Sequence, residues 1–550
     1  MQNATIARIF DEIADFLEIK GENPFKIRSY RNVARTIRNF PQKIEDYVRE
    51  GGELRKIEGI GEAIEKKIME ILETGDCNLH RRLLSEMPYS LLSLLRVPNL
   101  GPKTVGILYS SYGIKNIEEL TEFLSSERAK ELPKFGPRKI EKILKSMERI
   151  KHYLGKFSIE EAEEAVALAT EEVEGSIPVG SFRRWDEIFT DVDIMFFGKP
   201  LKFPWPKVKL KNKIRFYFPS GIPVDFFERR KKGIWKLLLT GPPEHIEFLK
   251  KRAEKMGGEL KEDGLFVKGK AFYNTEEEIY SALDLPWIPP EVRHLNPEKV
   301  PPLVEEKLLM GDLHMHTDWT DGRDTLERMV EKASYLGYKY IGISDHSQSS
   351  RIAGGLSAER LMEQIELIKS TSFPIKVFAG CEVDILEDGR LDYPDLVLSK
   401  LDYVIASPHL KLDMGKDEMT RRLLNAMENP YVRILGHPTG RLIGKRPQAE
   451  ADWDEIFKKA EEKNIAIEIN CQPDRLDLPY WLIERAKQYK IFFSIGTDAH
   501  STATLESLRK YGIMVARKAA LPPERIINTW ETEKIQAFFE RRGEFEASEH

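Results

Sequence analysis

Six histidines in the C-terminal half, His314, His316, His346, His409, His437 and His500, each follow a strand-like apolar run. That regularity restricts the fold more than anything else in the chain. Tyr340-Ile341-Gly342-Ile343-Ser344 precedes Asp345-His346, and Tyr403-Val404-Ile405-Ala406 precedes Ser407-Pro408-His409. Val432-Arg433-Ile434-Leu435-Gly436 precedes His437, and Ile491-Phe492-Phe493-Ser494-Ile495-Gly496 precedes Thr497-Asp498-Ala499-His500. The run 304–310 reads as the lead-in to a short strand carrying Asp312-Leu313-His314-Met315-His316, where residues two apart face the same way. Two further runs end in other polar residues, Val377-Phe378-Ala379-Gly380-Cys381-Glu382 and Ile465-Ala466-Ile467-Glu468-Ile469-Asn470. Helical segments at 325–336, 357–369 and 479–489 separate them, the last opening on a proline that a first helical turn tolerates. Strand–helix units with polar residues at the strands' C-terminal ends describe a β/α barrel and its functional face.

With Asp321, Glu382 and Asp498, the six imidazoles make nine potential ligands, too many for one four- to six-coordinate ion. A carboxylate can bridge two ions, and ions about 4 Å apart clamp the attacking and leaving oxygens of a phosphoester. Mixed histidine and carboxylate ligation suits Zn²⁺ or Mn²⁺ better than Ca²⁺, and no cysteine lies at ligand spacing. The expected chemistry is metal-assisted phosphoester hydrolysis.

These residues carry a resemblance. Asp312-Leu313-His314-Met315-His316-Thr317, Ser344-Asp345-His346, Gly380-Cys381-Glu382, Pro408-His409, Gly436-His437-Pro438 and Thr497-Asp498-Ala499-His500 resemble, in order and spacing, the PHP (polymerase and histidinol phosphatase) family over about 310–539. The resemblance implies a distorted (β/α)7 barrel with up to three Zn²⁺ or Mn²⁺ ions. Carried over, one ion takes His314, His316, Glu382 and Asp498; a second shares Glu382 and takes His409 and His437; a third uses Asp321, His346 and His500. Arg351, Arg441 and Lys411, near these motifs, are candidate phosphate contacts.

A chain of 550 residues holds several domains, and 41% hydrophobic with 32% charged residues describes ordinary globular ones. Three cysteines in no paired pattern indicate a reducing, cytoplasmic setting, and the N-terminus resembles no signal peptide. No apolar run approaches membrane length, so no membrane partner is expected. The net charge of −5 conceals a stretch, 202–236, with 11 basic and two acidic residues.

Residues 1–150 read as short helices in which one theme recurs. Ile57-Glu58-Gly59-Ile60-Gly61 precedes a helix over 62–73, Val97-Pro98-Asn99-Leu100-Gly101 a second through Leu108, and Leu132-Pro133-Lys134-Phe135-Gly136 a third over 140–150. Each glycine turn sets backbone N–H groups at a helix N-terminus, where an anion is favoured. Three such turns, at Gly59, Gly61, Gly101 and Gly136, resemble helix-hairpin-helix motifs that hold nucleic-acid phosphates without reading bases.

After a helix over 159–173 comes Gly180-Ser181-Phe182-Arg183-Arg184, then a strand over 188–197 with Asp191 and Asp193 on one face. Asp225 stands on a neighbouring strand-like run, so the three carboxylates form a cradle for hard cations. Gly180 and Ser181 offer N–H and hydroxyl donors to a triphosphate, and Arg184 a charge clamp. This arrangement resembles the nucleotidyltransferase palm of family X DNA polymerases, as do the stretch Glu18 onward to Tyr30 and the thumb run Thr240-Gly241-Pro242-Pro243-Glu244-His245. The resemblance implies that Asp191, Asp193 and Asp225 hold Mg²⁺ or Mn²⁺, and that Ser181 and Arg184 meet the triphosphate of a dNTP. Lys67 aligns with the lyase lysine of some relatives. Against the family pattern, Thr190 and Trp185 stand where glycine is expected, Leu238 and Pro242 alter the thumb's aromatic run, and Ile246 replaces an asparagine.

The expected fold is therefore multidomain. All-α helix-hairpin-helix regions at 1–80 and 81–155 precede an α+β palm and thumb at 156–235 and 236–295. Residues 285–303 are rich in proline and read as a semi-rigid extended spacer, and a Pro-rich linker at 296–309 leads to the PHP barrel at 310–550. The expected function is a monomeric DNA repair enzyme acting on gapped, nicked or 3′-ended DNA. It combines a polymerase with a 3′–5′ exonuclease, with abasic-site endonuclease or 3′-phosphatase action open to the same metal site. The departures leave a second reading open, a DNA-binding nuclease whose polymerase half has lost nucleotide addition and only presents substrate. A small-molecule phosphatase would not need three hairpins.

Overall fold

The computed structural model describes residues 3–540 apart from 39, 41, 98, 132–135, 151–152, 154, 199–202, 204–206, 219–220 and 230–231. Pro98, the loop 132–135 of the third hairpin, and parts of the basic stretch 202–236 lie outside the described residues. The chain divides into two compact units. One comprises Met1–Phe182, Ile188–Arg230 and Ile443–Arg446, and the other Arg183–Glu187, Lys231–Leu442 and Pro447–His550.

In the second unit, seven strands pair in chain order: Gly311–Asp312, Tyr340–Ile343, Lys376–Asp384, Tyr403–Ser407, Val432–Leu435, Ala466–Asn470 and Phe493–Gly496. Every neighbouring pair is parallel. The first and last edges meet where the Asp498 N–H donates to the His314 carbonyl at 2.8 Å and the His316 N–H to that of Ala499 at 2.8 Å. That meeting closes the barrel. The strands are buried on both faces, which is why they read as continuous apolar runs rather than alternating ones. Trp530, Phe538 and Phe539 pack with Tyr340, Phe378 and Tyr403 into one apolar cluster.

The expected strand through His314 and His316 is only two residues long, Gly311–Asp312, and a 3-10 turn, Glu306–Leu308, precedes it. Beyond Asp312 the backbone bonds to the loop after the last strand, and on its other side the Ser344 N–H donates to the Met315 carbonyl at 3.0 Å. The helix expected over 479–489 is also shorter, Tyr480–Ala486.

The same unit holds the thumb, with helices Lys232–Thr240, Pro243–Lys255 and Glu276–Ala282 and a three-stranded antiparallel sheet over one apolar core. The proline-rich segment after it is not an extended spacer. Pro290–Leu295 forms a 3-10 helix with Pro290, Glu291, Val292 and Arg293 buried. Arg293 pairs with Glu276 at 3.0 Å, and Glu291 pairs with Arg517 at 2.6 Å. Buried charges of this kind are held by partners, so the segment is docked over 290–293, while 294–303 is exposed or half-buried.

In the first unit, helices Asn3–Ile19, Pro24–Arg38, Glu62–Thr74 and Asn78–Glu86 enclose an apolar core. The palm sheet is five-stranded, ordered Ile177–Val179, Val192–Phe196, Pro223–Glu228, Ile214–Tyr217, Lys207–Lys209. The single strand expected over 188–197 is divided in two, Ile188–Phe189 and Val192–Phe196, with Asp191 at the break.

Candidate active sites

The C-terminal end of the strand Lys376–Asp384, which carries Glu382, and the loops after the other barrel strands bring all nine expected ligand residues together. Glu382, 1% exposed, lies among five imidazoles: His437 Nε2 at 2.7 Å, His346 Nδ1 at 2.9 Å, His409 Nε2 at 3.2 Å, His314 Nε2 at 3.5 Å and His316 Nε2 at 3.7 Å. Asp498 lies 3.0 Å from His316 Nε2, and Asp321 lies 3.4 and 3.5 Å from Nε2 of His500 and His346. Four overlapping sets place ligand atoms within 4.8 Å of one another: His316, Asp321, His346 and His500; His314, His437 and Asp498; His314, His316 and Glu382; and His346, Glu382 and His409. These groupings overlap the three expected ones but divide His316, His346 and His437 differently.

Glu382 and His316 are held in the forms that ligate, whereas neighbouring carboxylates outweigh burial and raise His314, His346, His409 and His500. Burial opposes ionisation of Glu382, but His409, His314 and His346 outweigh it and hold its carboxyl well below the ordinary range. Burial, with His346 and His500 close by, pushes His316 down to about 3, so its imidazole is neutral with a lone pair to offer. Among the described residues, His314 Nε2 and the Nδ1 atoms of His316 and His437 are buried without hydrogen-bond partners. Buried polar atoms seldom remain so unless something outside the chain satisfies them. The donor set fits divalent ions of the zinc or manganese kind. Asp498 has φ +53, a strained conformation for a residue with a side chain and one that clusters at functional sites.

Behind the ligands stand carboxylates that the sequence reading did not single out. Glu468 accepts from His314 Nδ1 at 2.5 Å and from the His437 backbone N–H at 2.6 Å. Asp384 is hydrogen-bonded to His409 Nδ1. Such partners fix the tautomer and aim the other nitrogen inward. A carboxylate in a buried strand was the available signal, in Ile467-Glu468-Ile469 and in Cys381-Glu382-Val383-Asp384.

Of the candidate phosphate contacts, Arg441 is not available. It is 3% exposed, and its donors are used by the Arg475 carbonyl at 2.6 Å, the Leu476 carbonyl and Glu187 at 2.9 Å. Arg351 is exposed, on the 3-10 turn Arg351–Ala353. Lys411 is exposed, with Glu387 3.7 Å away.

In the palm, strand register puts Asp193 opposite Asp225 in a parallel pair, and Asp191 stands just ahead of the same strand. Gly180 has φ +64, and a Cβ there would fall 2.2 Å from Asp193 Oδ2. The glycine lets the backbone approach the carboxylate. Ser181 follows it in the short helix Gly180–Arg183. Asp225 is fully buried; burial opposes its ionisation, but hydrogen bonds from Arg215 and Lys213 hold its carboxyl below the ordinary value.

Within the second unit, Arg184 donates to the Thr240 carbonyl at 3.0 Å and to Asp186 at 2.8 Å. Trp185 adopts φ +55, the conformation that a glycine there would take without strain, and Arg517 lies over its ring at 5.6 Å. Asp186 pairs with Lys518 at 2.7 Å. Pro242 caps the helix Pro243–Lys255, and Ile246 packs against the thumb core. The Thr190 hydroxyl lies 3.4 Å from Asp191 Oδ1.

Gly61 and Gly101 are the N-caps of helices Glu62–Thr74 and Pro102–Tyr112, and Gly136 immediately precedes Pro137–Ile150. A Cβ on any of these three would meet nothing within 4 Å. The exposed N-termini are therefore open to a ligand from outside the chain. Gly59 has φ +85, and Asn99 takes the matching place in the second turn at φ +69. Lys67 is half-buried and bonds the Ala63 carbonyl one turn back at 3.0 Å. No helix among the described residues is long and apolar enough to cross a membrane.

Four family models match: a helix-hairpin-helix domain over 1–77, a SAM-like helix-hairpin-helix tandem over 91–149, the DNA polymerase beta thumb over 236–294 and the PHP domain over 312–472. The DNA polymerase/3′-5′ exonuclease PolX of Bacillus subtilis is 31% identical over 575 residues, covering 98% of this chain and all of that protein. A probable phosphatase of Clostridium acetobutylicum is 32% identical over 242 residues, 42% of this chain and 95% of its own length. One from Caldicellulosiruptor bescii is 31% identical over 226 residues, 40% of this chain and 90% of its own.

Proposed function

Since this chain belongs to the family X DNA polymerases that carry a C-terminal PHP domain, we propose that it extends DNA 3′ ends through its palm and removes 3′ nucleotides through its barrel. The observation that carries the second activity is the convergence of nine ligand side chains around Glu382. The nine side chains would hold divalent ions, Zn²⁺ or Mn²⁺ and up to three, which would supply Lewis acidity toward a phosphoester. The chain's own residues set the geometry. Glu468 and Asp384 hold the Nδ1 atoms of His314 and His409 so that each Nε2 points inward, and exposed Arg351 is the contact offered to a DNA phosphate.

In the palm, Asp191, Asp193 and Asp225 are the proposed ligands for Mg²⁺ or Mn²⁺, with the Gly180 and Ser181 backbone facing the triphosphate. The hairpin turns at Gly61, Gly101 and Gly136 would hold the backbone of a gapped or nicked duplex. This division of labour fits repair in the cytoplasm. The likeness of the barrel to probable phosphatases also favours 3′-phosphate removal by the same site.

One incubation separates the activities. Gapped, 5′-labelled DNA with Mn²⁺ is expected to give shorter products without dNTPs and longer ones with them. Asp191→Ala with Asp193→Ala is expected to abolish only the longer products, and Glu382→Ala only the shorter. Longer products that survive the double substitution would remove the polymerase assignment. A wild type that never extends would leave a nuclease with a DNA-presenting first half.

A further inference from the structure

The palm carboxylates already have cations. Arg215 Nε donates to Asp225 Oδ1 at 2.7 Å, and its Nη2 lies 2.7 Å from both Asp225 Oδ2 and Asp191 Oδ2. Lys213 Nζ also contacts Asp225 Oδ2. The arrangement is written into the backbone. Arg215 stands directly opposite Asp225 in an antiparallel pair, and Asp225 directly opposite Asp193 in a parallel one. Asp193, Asp225 and Arg215 thus form one row across three strands, and Lys213, two residues before Arg215, joins the same face. Three carboxylates share this face with a guanidinium and an ammonium.

We infer that Arg215, assisted by Lys213, is the resident counter-cation of the polymerase carboxylates, so that free divalent ions load the palm poorly and enter it together with the triphosphate. This rests on the polymerase reading of the palm. A guanidinium forked onto two carboxylates competes with any cation for the same oxygens. A triphosphate arriving with its ion alters the competition in two ways: it brings a second positive charge to the aspartates and offers phosphate oxygens to the displaced guanidinium. Arg215 is a positioning residue here, acting through Asp191 and Asp225. The barrel is built the other way. Among the described residues, imidazoles alone ion-pair with Glu382, Asp498 and Asp321. The barrel is therefore expected to load from free ion when the palm does not.

The test is Mn²⁺ binding to the full-length protein, followed by the loss of the aqueous Mn²⁺ resonance, with and without a non-hydrolysable dNTP analogue. Wild type is expected to fill its barrel sites from free ion and to gain palm binding only with the analogue. Arg215→Gln is expected to tighten analogue-free palm binding about tenfold or more. Arg215→Lys should stay near wild type because the cation is kept. Lys213→Gln, which removes one contact to Asp225 where Arg215 makes three to Asp191 and Asp225, should shift the same way by less. Adding Asp191→Asn and Asp225→Asn should erase every gain, which assigns it to the palm. Unchanged or weaker palm binding in both glutamine variants overturns the inference, even if primer extension proceeds normally. Extension absent from every protein, with the binding shift intact, would instead remove the polymerase reading and leave Arg215 as a metal competitor.

Discussion

The palm and the barrel solve the same problem, keeping several carboxylates together, with opposite counter-charges. In the palm, Asp225 is fully buried under a guanidinium and an ammonium. In the barrel, Glu382 is equally buried but surrounded by imidazoles, several with nitrogens that have no hydrogen-bond partner among the described residues. Arginine and lysine satisfy a carboxylate and leave nothing over, whereas a neutral histidine donates one ring N–H to it and still offers the lone pair of its other nitrogen. The first cluster is poised to wait for its ion with the nucleotide, and the second to hold its ions. The largest effect that could break this contrast is Glu382→Ala. It is expected to lower DNA hydrolysis by well over roughly 10³-fold and to reduce bound Mn²⁺ measured by elemental analysis. Retained hydrolysis would mean that the reaction does not run through this cluster.

Asp225→Asn tests the other side. Extension of a primer should fall by roughly 10²–10³-fold, while exonuclease activity on the same DNA stays at wild type. The substitution also leaves Arg215 without its main partner, so comparing melting temperatures separates lost chemistry from lost packing. Equal loss of both activities would mean that the clusters are not independent.

The barrel was legible because burying a strand on both faces demands an apolar run, and its end then advertises the functional face. Even Asp498 and His500, which lie beyond the matched PHP segment, were readable from Thr497-Asp498-Ala499-His500. What stayed hidden depends on pairing across the chain. Glu468 looks like an interruption of an apolar strand until His314, 154 positions earlier, is found against it. Arg441 reads as a loop arginine because the carbonyls of Arg475 and Leu476 that bury it are distant in sequence. Arg215 is one of 11 basic residues in 202–236 and reads as part of a DNA-binding stretch. Only strand register distinguishes it from the rest. The prolines of 285–303 suggested a spacer because sequence gives stiffness but not burial.

A smaller effect sharpens the contrast on the barrel side. Glu468→Gln keeps the shape but weakens the bond that orients His314 Nδ1, and Asp384→Asn does the same for His409. Each is expected to weaken metal affinity by about 10–100-fold, with most activity recovered at high Mn²⁺. Competition with a calibrated chelator measures this directly. The palm offers no equivalent, since its carboxylates are held by charged donors rather than through an imidazole. A variant whose lost activity returns at no metal concentration would show that Glu468 does more than orient its histidine.

The smallest expected effect is Gly180→Ala. The added methyl would approach Asp193 Oδ2 to 2.2 Å, at a backbone φ of +64 that alanine adopts only with strain. The far end of an aspartate side chain can turn away, so the fold should survive at a cost of about 1 kcal/mol. The turned carboxylate is then out of line with Asp225, its partner across the strand pair. Extension at saturating dNTP should fall by about tenfold, the equivalent of roughly 1.4 kcal/mol on the barrier, and barrel hydrolysis should not change. A normal extension rate would mean that Asp193 does not need the position the strand gives it. The palm's ion would then be held chiefly by Asp191 and Asp225, the two carboxylates that Arg215 bridges.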